Sequence, residues 1–219
     1  MNIQKYHSIL SELPDHVKLI AVSKTKPVED IQMLYKEGQR VFGENRAQEL
    51  KSKYEVLPKD IEWHFIGHLQ TNKIKYIAPF VNLIHSVDSF NLLQEIDAHA
   101  KKIIRVIPCL LQFYIAQEET KFGFDRAECT EMMESDLFKS LKNIEIVGVM
   151  GMATFTDDQQ QITREFKALH DHFGFLKSTY FKENSRFREI SMGMTDDYQI
   201  AIQEGSTMIR IGSAIFGSR

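Results

Sequence analysis

Residues 17–45 read VKLIAVSKTKPVEDIQMLYKEGQRVFGEN, and this stretch decides the fold. Its opening run, VKLIAVSK (17–24), is apolar and β-prone, and so is RVFGEN (40–45). Between them PVEDIQMLYKEG reads as a helix, with Pro27 tolerated in its first turn and Gly38 at its end. Two strands joined by a helix run parallel, because the helix carries the chain back across the sheet.

The same rhythm continues along the chain. Further β-rich runs are EWHFIG (62–67), NLIHSV (82–87), IPCLLQFY (107–114), IEIVGVMGM (144–152), REISMG (188–193) and TMIRIGSAIFG (207–217). Helix-like segments separate them, including SFNLLQEIDAHAKK, a continuous RAECTEMMESDLFKSL (126–141) and TDDYQIAIQEG, which Thr195 can cap and Gly205 can end. Eight strand–helix units predict an α/β fold, a closed (β/α)8 TIM-type barrel, with MNIQKYHSILSEL as an extra N-terminal helix. An open doubly wound sheet is the alternative, but it usually carries a G-x-G-x-x-G turn after its first strand, and none follows Ser23 and Lys24. No linker or repeat divides the chain, so residues 1–219 are expected to form a single barrel domain.

The 43% hydrophobic and 26% charged composition is that of a globular protein, and a net charge of -3 gives no reason to expect nucleic acid or an anionic membrane as partner. No apolar run approaches the roughly 20 residues that cross a bilayer, and the amphipathic N-terminus does not resemble a signal sequence. A cytoplasmic location is expected. Cys109 and Cys129 have no metal-ligand spacing and read as core thiols.

In a parallel barrel the functional groups gather at the C-terminal ends of the strands. Lys24 stands at the end of the first. Loss of hydration there would lower its pKa and yield a nucleophilic amine able to condense with an aldehyde. The bland alternative is a lysine that snorkels to solvent or pairs with an acid. At the far end of the chain, SMGMTDD opens a helix whose free N–H groups converge near Gly193 and Thr195, and RIGSAIFG supplies Gly212 and Ser213. Loops after strands seven and eight are the usual phosphate site of such barrels, although these glycines can equally just turn the chain. Arg210 interrupts an apolar strand, and a buried guanidinium requires a partner. An acid such as Glu44 or Asp196 would suffice; an electron-poor ring nitrogen of a ligand is the other option. The histidines say less: His64 and His68 are four apart on a strand end, and His170 and His172 point to different faces of a helix.

Taken together, AVSKTKP, FGENRAQE, EWHFIGHLQTNK, SMGMTDD and GSTMIRIGSAIFG resemble the diagnostic segments of the pyridoxal phosphate homeostasis protein family, the YggS/PROSC type, a branch of the alanine-racemase-type barrels. The resemblance covers nearly the whole chain. It implies that pyridoxal 5'-phosphate is held as an internal aldimine on Lys24. It also implies that Arg210 faces the pyridine nitrogen, and that Ser191, Gly193, Met194, Thr195, Gly212 and Ser213 surround the phosphate. Asn45 and His64 would border the ring. One departure is the end of strand five: the family usually has a Q-V-N-like sequence, and here Gln112-Phe113-Tyr114 puts a polar contact from that strand in doubt.

Racemisation through this cofactor needs a base on each face of the substrate carbanion. In alanine racemases the second is a tyrosine from a partner's extra β-domain, for which this chain leaves no room after its last strand. The expected function is therefore a monomeric carrier that buffers or delivers the cofactor, with transient contacts to cofactor-dependent enzymes. The alternative is a small amino-acid racemase with Tyr114 or His64 as the missing base, and a third is a barrel with a structural Lys24 that binds another phosphate ester. Lys26, two residues beyond Lys24, is a further candidate for steering the phosphate or accepting the aldehyde.

Overall fold

Helix α1 (Ile3–Glu12) leads into the 17–45 stretch, which folds as strand β1 (Lys18–Val22), helix α2 (Val28–Lys36) and strand β2 (Val41–Glu44) in the computed structural model, which describes residues 1–117 and 122–217. After helix α3 (Ala47–Val56) come β3 (Glu62–Phe65), a 3₁₀ turn at Thr71–Lys73 running into α4 (Ile74–Ile77), and β4 (Leu83–Val87). Helix α5 (Phe90–Lys102) leads to β5 (Ile107–Gln112), and α6 (Arg126–Glu134) and α7 (Asp136–Ser140) lead to β6 (Ile144–Met150). The chain ends its described course with α8 (Gln159–Thr179), β7 (Glu189–Ser191), α9 (Tyr198–Gln203), β8 (Met208–Ile211) and α10 (Ser213–Phe216).

Neighbouring strands pair in parallel in chain order, and β1 pairs with β8, Ile20 opposite Arg210, to close the barrel. Because side chains alternate along a strand, each strand serves two cores. Leu19, Ala21, Phe42, Trp63, Ile84, Cys109 and Ile209 join the large cluster between barrel and helices. Ile20, Val41, Leu83, Leu110, Val147, Met150 and Met208 form a second cluster that fills the barrel interior. The helices bury the complementary stripe, α5 through Leu92, Leu93, Ile96 and Ala100 at helical spacing. Ser89 caps α5 by accepting from the Leu92 N–H, and Asp125 with Glu128 forms a capping box on α6.

Four local expectations change. The last β-rich run stops at Ile211, and Ser213–Phe216 turns into α10, placing Ile215 and Phe216 in the core; the backbone N–H of Asn2 bonds to Ile215 O at 2.7 Å. A short apolar run carries no period that separates strand from helix. The 126–141 segment is two helices, because Ser135 is extended (φ -66°, ψ 143°) and its hydroxyl accepts from the Phe138 N–H to start α7. Pro27 precedes α2 as its cap residue instead of lying in its first turn. Thr195 does not cap α9, which begins three residues later, after Asp197. Gly38 and Gly205 end their helices at φ +101° and +93°, a conformation that disfavours side chains. Cys109 and Cys129 are buried thiols, and burial pushes Cys129 up to about 12. Among the described residues no helix is long and apolar enough to cross a membrane.

Candidate functional site at the barrel mouth

The C-terminal ends of the strands open into a cavity of about 490 Å³, a volume suited to a small organic ligand. Lys24 and Asn45 line it from the ends of β1 and β2. Met194 and Thr195 reach it from the loop after β7, and Arg210, Gly212 and Ser213 from β8. Seven residues separated by most of the chain thus share one wall, because closure of the barrel sets β8 beside β1.

Lys24 is half-buried, in the turn that leaves β1. The loops after β7 and β8 meet directly: Ser213 Oγ donates to Thr195 Oγ1 at 3.0 Å. Gly193 (φ +95°) supports this junction from below. A Cβ there would lie 2.6 Å from Ala201 Cβ, so the loop packs on α9 only with glycine at this position. Its carbonyl accepts from the Arg210 N–H at 2.9 Å, and the Met194 N–H donates to Asp197 Oδ1 at 2.5 Å. Gly212 allows a similarly close approach, since a Cβ would sit 3.1 Å from Val22 O.

Arg210 is buried inside the barrel. Its Nη1 donates to Ser191 Oγ at 2.6 Å and its Nη2 to Gly151 O at 3.1 Å, so neither Glu44 nor Asp196 is its partner. Burial lowers its guanidinium to about 10, against the pull of Asp197, which leaves it charged at neutral pH. Ser191 and His64 stand apart from the other expected site residues. Neither lines the mouth; both lie within the barrel, in a chain that runs from Arg210 through Ser191 Oγ to His85 Nδ1 (2.8 Å) and from His85 Nε2 to His64 Nδ1 (2.9 Å). The inward-facing phase of β3 and β7 puts them below the rim. An arginine can only donate, so Ser191 Oγ accepts from it, and the hydrogen bonds between Ser191 Oγ and His85 Nδ1 and between His85 Nε2 and His64 Nδ1 carry the chain on through the interior. Burial holds both imidazoles neutral: His64 falls to about 3, with Lys18 adding to the effect, and His85 falls well below its usual value.

Several mouth residues carry no clear signal in the sequence. Gln112 lines the cavity and donates to Phe122 O at 3.2 Å, so β5 does offer a polar side chain there, while Phe113 turns outward and stacks on His172. Tyr114 lines an adjoining cavity and not the mouth itself. His68, bonded to Asp88 at 2.8 Å, also borders the mouth. Lys26 does not; its Nζ donates to Gly217 O at 3.1 Å.

The full chain, residues 1–219, matches the family model described as the alanine racemase N-terminal domain. A protein of Aquifex aeolicus (strain VF5) named pyridoxal phosphate homeostasis protein is 40% identical over 203 residues, covering 92% of this chain and 87% of that protein. One of the same name from Synechocystis sp. is 36% identical over 219 residues, covering 98% and 97%. Among solved structures, PipY of Synechococcus elongatus PCC7942 with PLP bound is 34% identical and superposes with a TM-score of 0.87 over 98% of this chain and 99% of that one. An alanine racemase of Clostridium difficile 630, at 15% identity, shares the fold with a TM-score of 0.79 over 99% of this chain and 56% of its own. Sequence identity along nearly the whole length, together with the closed barrel, shows that this chain belongs to the pyridoxal phosphate homeostasis protein family, built on the alanine racemase N-terminal barrel.

Proposed function

We propose that the protein binds pyridoxal 5'-phosphate in the barrel mouth through Lys24 and buffers or delivers it without robust catalysis of its own. The carrying observation is that one 490 Å³ cavity is lined by Lys24, by Arg210 and by the touching Thr195 and Ser213 loops. The residues present fit such a group. Asn45 lines the same cavity as Lys24 and Arg210, and its Oδ1 is buried without a hydrogen-bond partner. The bound group supplies an aldehyde that condenses with an amine. Lys24 supplies that amine, while the Thr195 hydroxyl and the Ser213 and Ala214 N–H groups that open α10 offer donors to a phosphate. Arg210 presents a fixed positive charge at the cavity floor, where it would keep a facing pyridine nitrogen unprotonated. The names of the relatives and the PLP-bound state of PipY support this reading.

Absence of catalysis is the finer part of the proposal. A second base is required for racemisation: His64 lies within the barrel and is held neutral, Tyr114 lines the adjoining cavity, and His68, which does border the mouth, is tied to Asp88. The rim carries exposed Phe122, Phe155, Met152 and Met194, which suits transient contact with a protein that accepts the cofactor. Borohydride reduction of the cofactor-loaded protein followed by peptide mapping is the test. We expect one reduced adduct, on Lys24, absent from Lys24→Ala, and no conversion of L-alanine to its D form; an adduct elsewhere, or none, refutes the binding site, and Lys24-dependent racemisation refutes the carrier role.

A further inference from the structure

Thr25, the residue after Lys24, has φ +64°. A turn closes here, Lys26 N–H to Ser23 O at 3.0 Å, and its third residue takes the left-handed conformation at a place where turns normally carry glycine. For a β-branched residue this conformation is disfavoured on the order of ten- to hundredfold and persists only where the surroundings enforce it. The enforcing group is identifiable. The Thr25 N–H donates to Glu49 Oε1 at 2.6 Å, and that oxygen accepts from Lys53 Nζ at 2.7 Å. Lys53 is only 5% exposed, and its remaining two donors go to Glu44 Oε1 at 2.7 Å and Ser23 O at 2.8 Å. Ser23 Oγ donates to the same Glu44 oxygen at 2.6 Å. Both neighbours of Lys24 are therefore tied to a single buried ammonium, one directly and one through Glu49.

We propose that Glu44, Glu49 and Lys53 form a positioning clamp that sets the Lys24 turn and so aims its amine into the mouth. Lys53 sits on α3 in step with Ala47 and Leu50, a buried-face position where an apolar residue is normal. An ion cluster serving stability alone has apolar replacements that are as stable, but no apolar side chain can accept the Thr25 N–H. None of the three touches the cavity, so their effect passes through the backbone on either side of Lys24.

The inference rests on the reading that Lys24 is the condensing amine: Lys24 Nζ adds to the aldehyde carbon, the C=N bond forms and the oxygen leaves as water, with no redox partner. The test measures the rate of Lys24 adduct formation with pyridoxal 5'-phosphate in the native protein, in Glu49→Ala and in Glu49→Ala with Thr25→Gly. Glu49→Ala should slow it by about ten- to hundredfold, the population factor of the unsupported turn, while affinity for inorganic phosphate stays unchanged. Thr25→Gly on that background should restore most of the rate, because glycine adopts φ +64° unaided. A native protein that forms no Lys24 adduct overturns the binding proposal itself. A native protein that does, with Glu49→Ala equally fast or with no rescue by glycine, overturns the clamp alone. Amide exchange in the unsubstituted protein gives an independent check: the Thr25 N–H should be protected although the residue is exposed, and rapid exchange there overturns the clamp.

Discussion

Ser191→Ala separates two roles for one hydroxyl. If Ser191 contacted the phosphate, as the resemblance implies, its removal would weaken anion binding and leave the empty barrel nearly as stable as before. The structure gives Ser191 Oγ two buried partners instead, Arg210 Nη1 at 2.6 Å and His85 Nδ1 at 2.8 Å. A hydrogen bond from a charged donor is worth about 1.5–3 kcal/mol and a neutral one about 1, and alanine leaves both partners buried with nothing in their place. Destabilisation of about 3 kcal/mol follows. At roughly 2–4 °C per kcal/mol for a chain of this size, the cofactor-free protein should melt about 6–12 °C lower. Urea and thermal denaturation of the cofactor-free protein supply the magnitude, and competition by inorganic phosphate supplies the contrast. A stability change under about 0.5 kcal/mol combined with a large loss of phosphate affinity would refute the interior assignment, since buried partners left unsatisfied cannot be that cheap.

Gly193→Ala combines a left-handed φ with a Cβ only 2.6 Å from Ala201 Cβ and 3.0 Å from Tyr198 Cα. Strain and overpacking together should cost about 2–4 kcal/mol and displace the Met194–Thr195 loop, lowering both the melting temperature and phosphate affinity; a neutral substitution would show that α9 yields more easily than its packing implies. Acid should also destabilise the barrel. His64 and His85 are neutral when folded but take up protons near pH 6.5 when unfolded, so their contribution is full above pH 6.5 and is lost as pH falls, in the case of His64 toward about 3. Between pH 6.5 and about 4.5 His64 alone accounts for a loss of about 2 kcal/mol, and His85 adds to it in the same direction, offset in part by Glu44, whose raised pKa draws a proton to the folded state. Urea denaturation across that range should show the fall, and a flat profile would count against two neutral buried imidazoles.

Much of the fold was legible because a parallel barrel repeats one local rule. Each β-rich run and each helix-like segment announces itself over about ten residues, and eight repeats leave one economical way to cover all sheet edges. The errors fall where local signals are shared by two outcomes. AIF after Ser213 is as apolar as a strand and proved to be a helix turn, and Ser135 divides a segment that no glycine or proline interrupts. Lys53 left a trace in the sequence, a lysine in step with Ala47 and Leu50 and four residues from Glu49, but nothing local marks it as buried.

The sequence by itself determined the strand and helix order, the parallel connections and the likeness that singled out Lys24, Arg210 and the two glycine-bearing loops. Tertiary structure alone decided which of these residues share a surface. Alternation along a strand sends consecutive side chains to opposite faces, and barrel closure then sorts the inward ones by height: Lys24, Asn45, Thr195, Arg210 and Ser213 reach the mouth, while Ser191 and His64 stop below it beside His85. Height in the barrel depends on strand register and shear, which are set by pairings between distant segments, and no stretch of neighbouring residues encodes them.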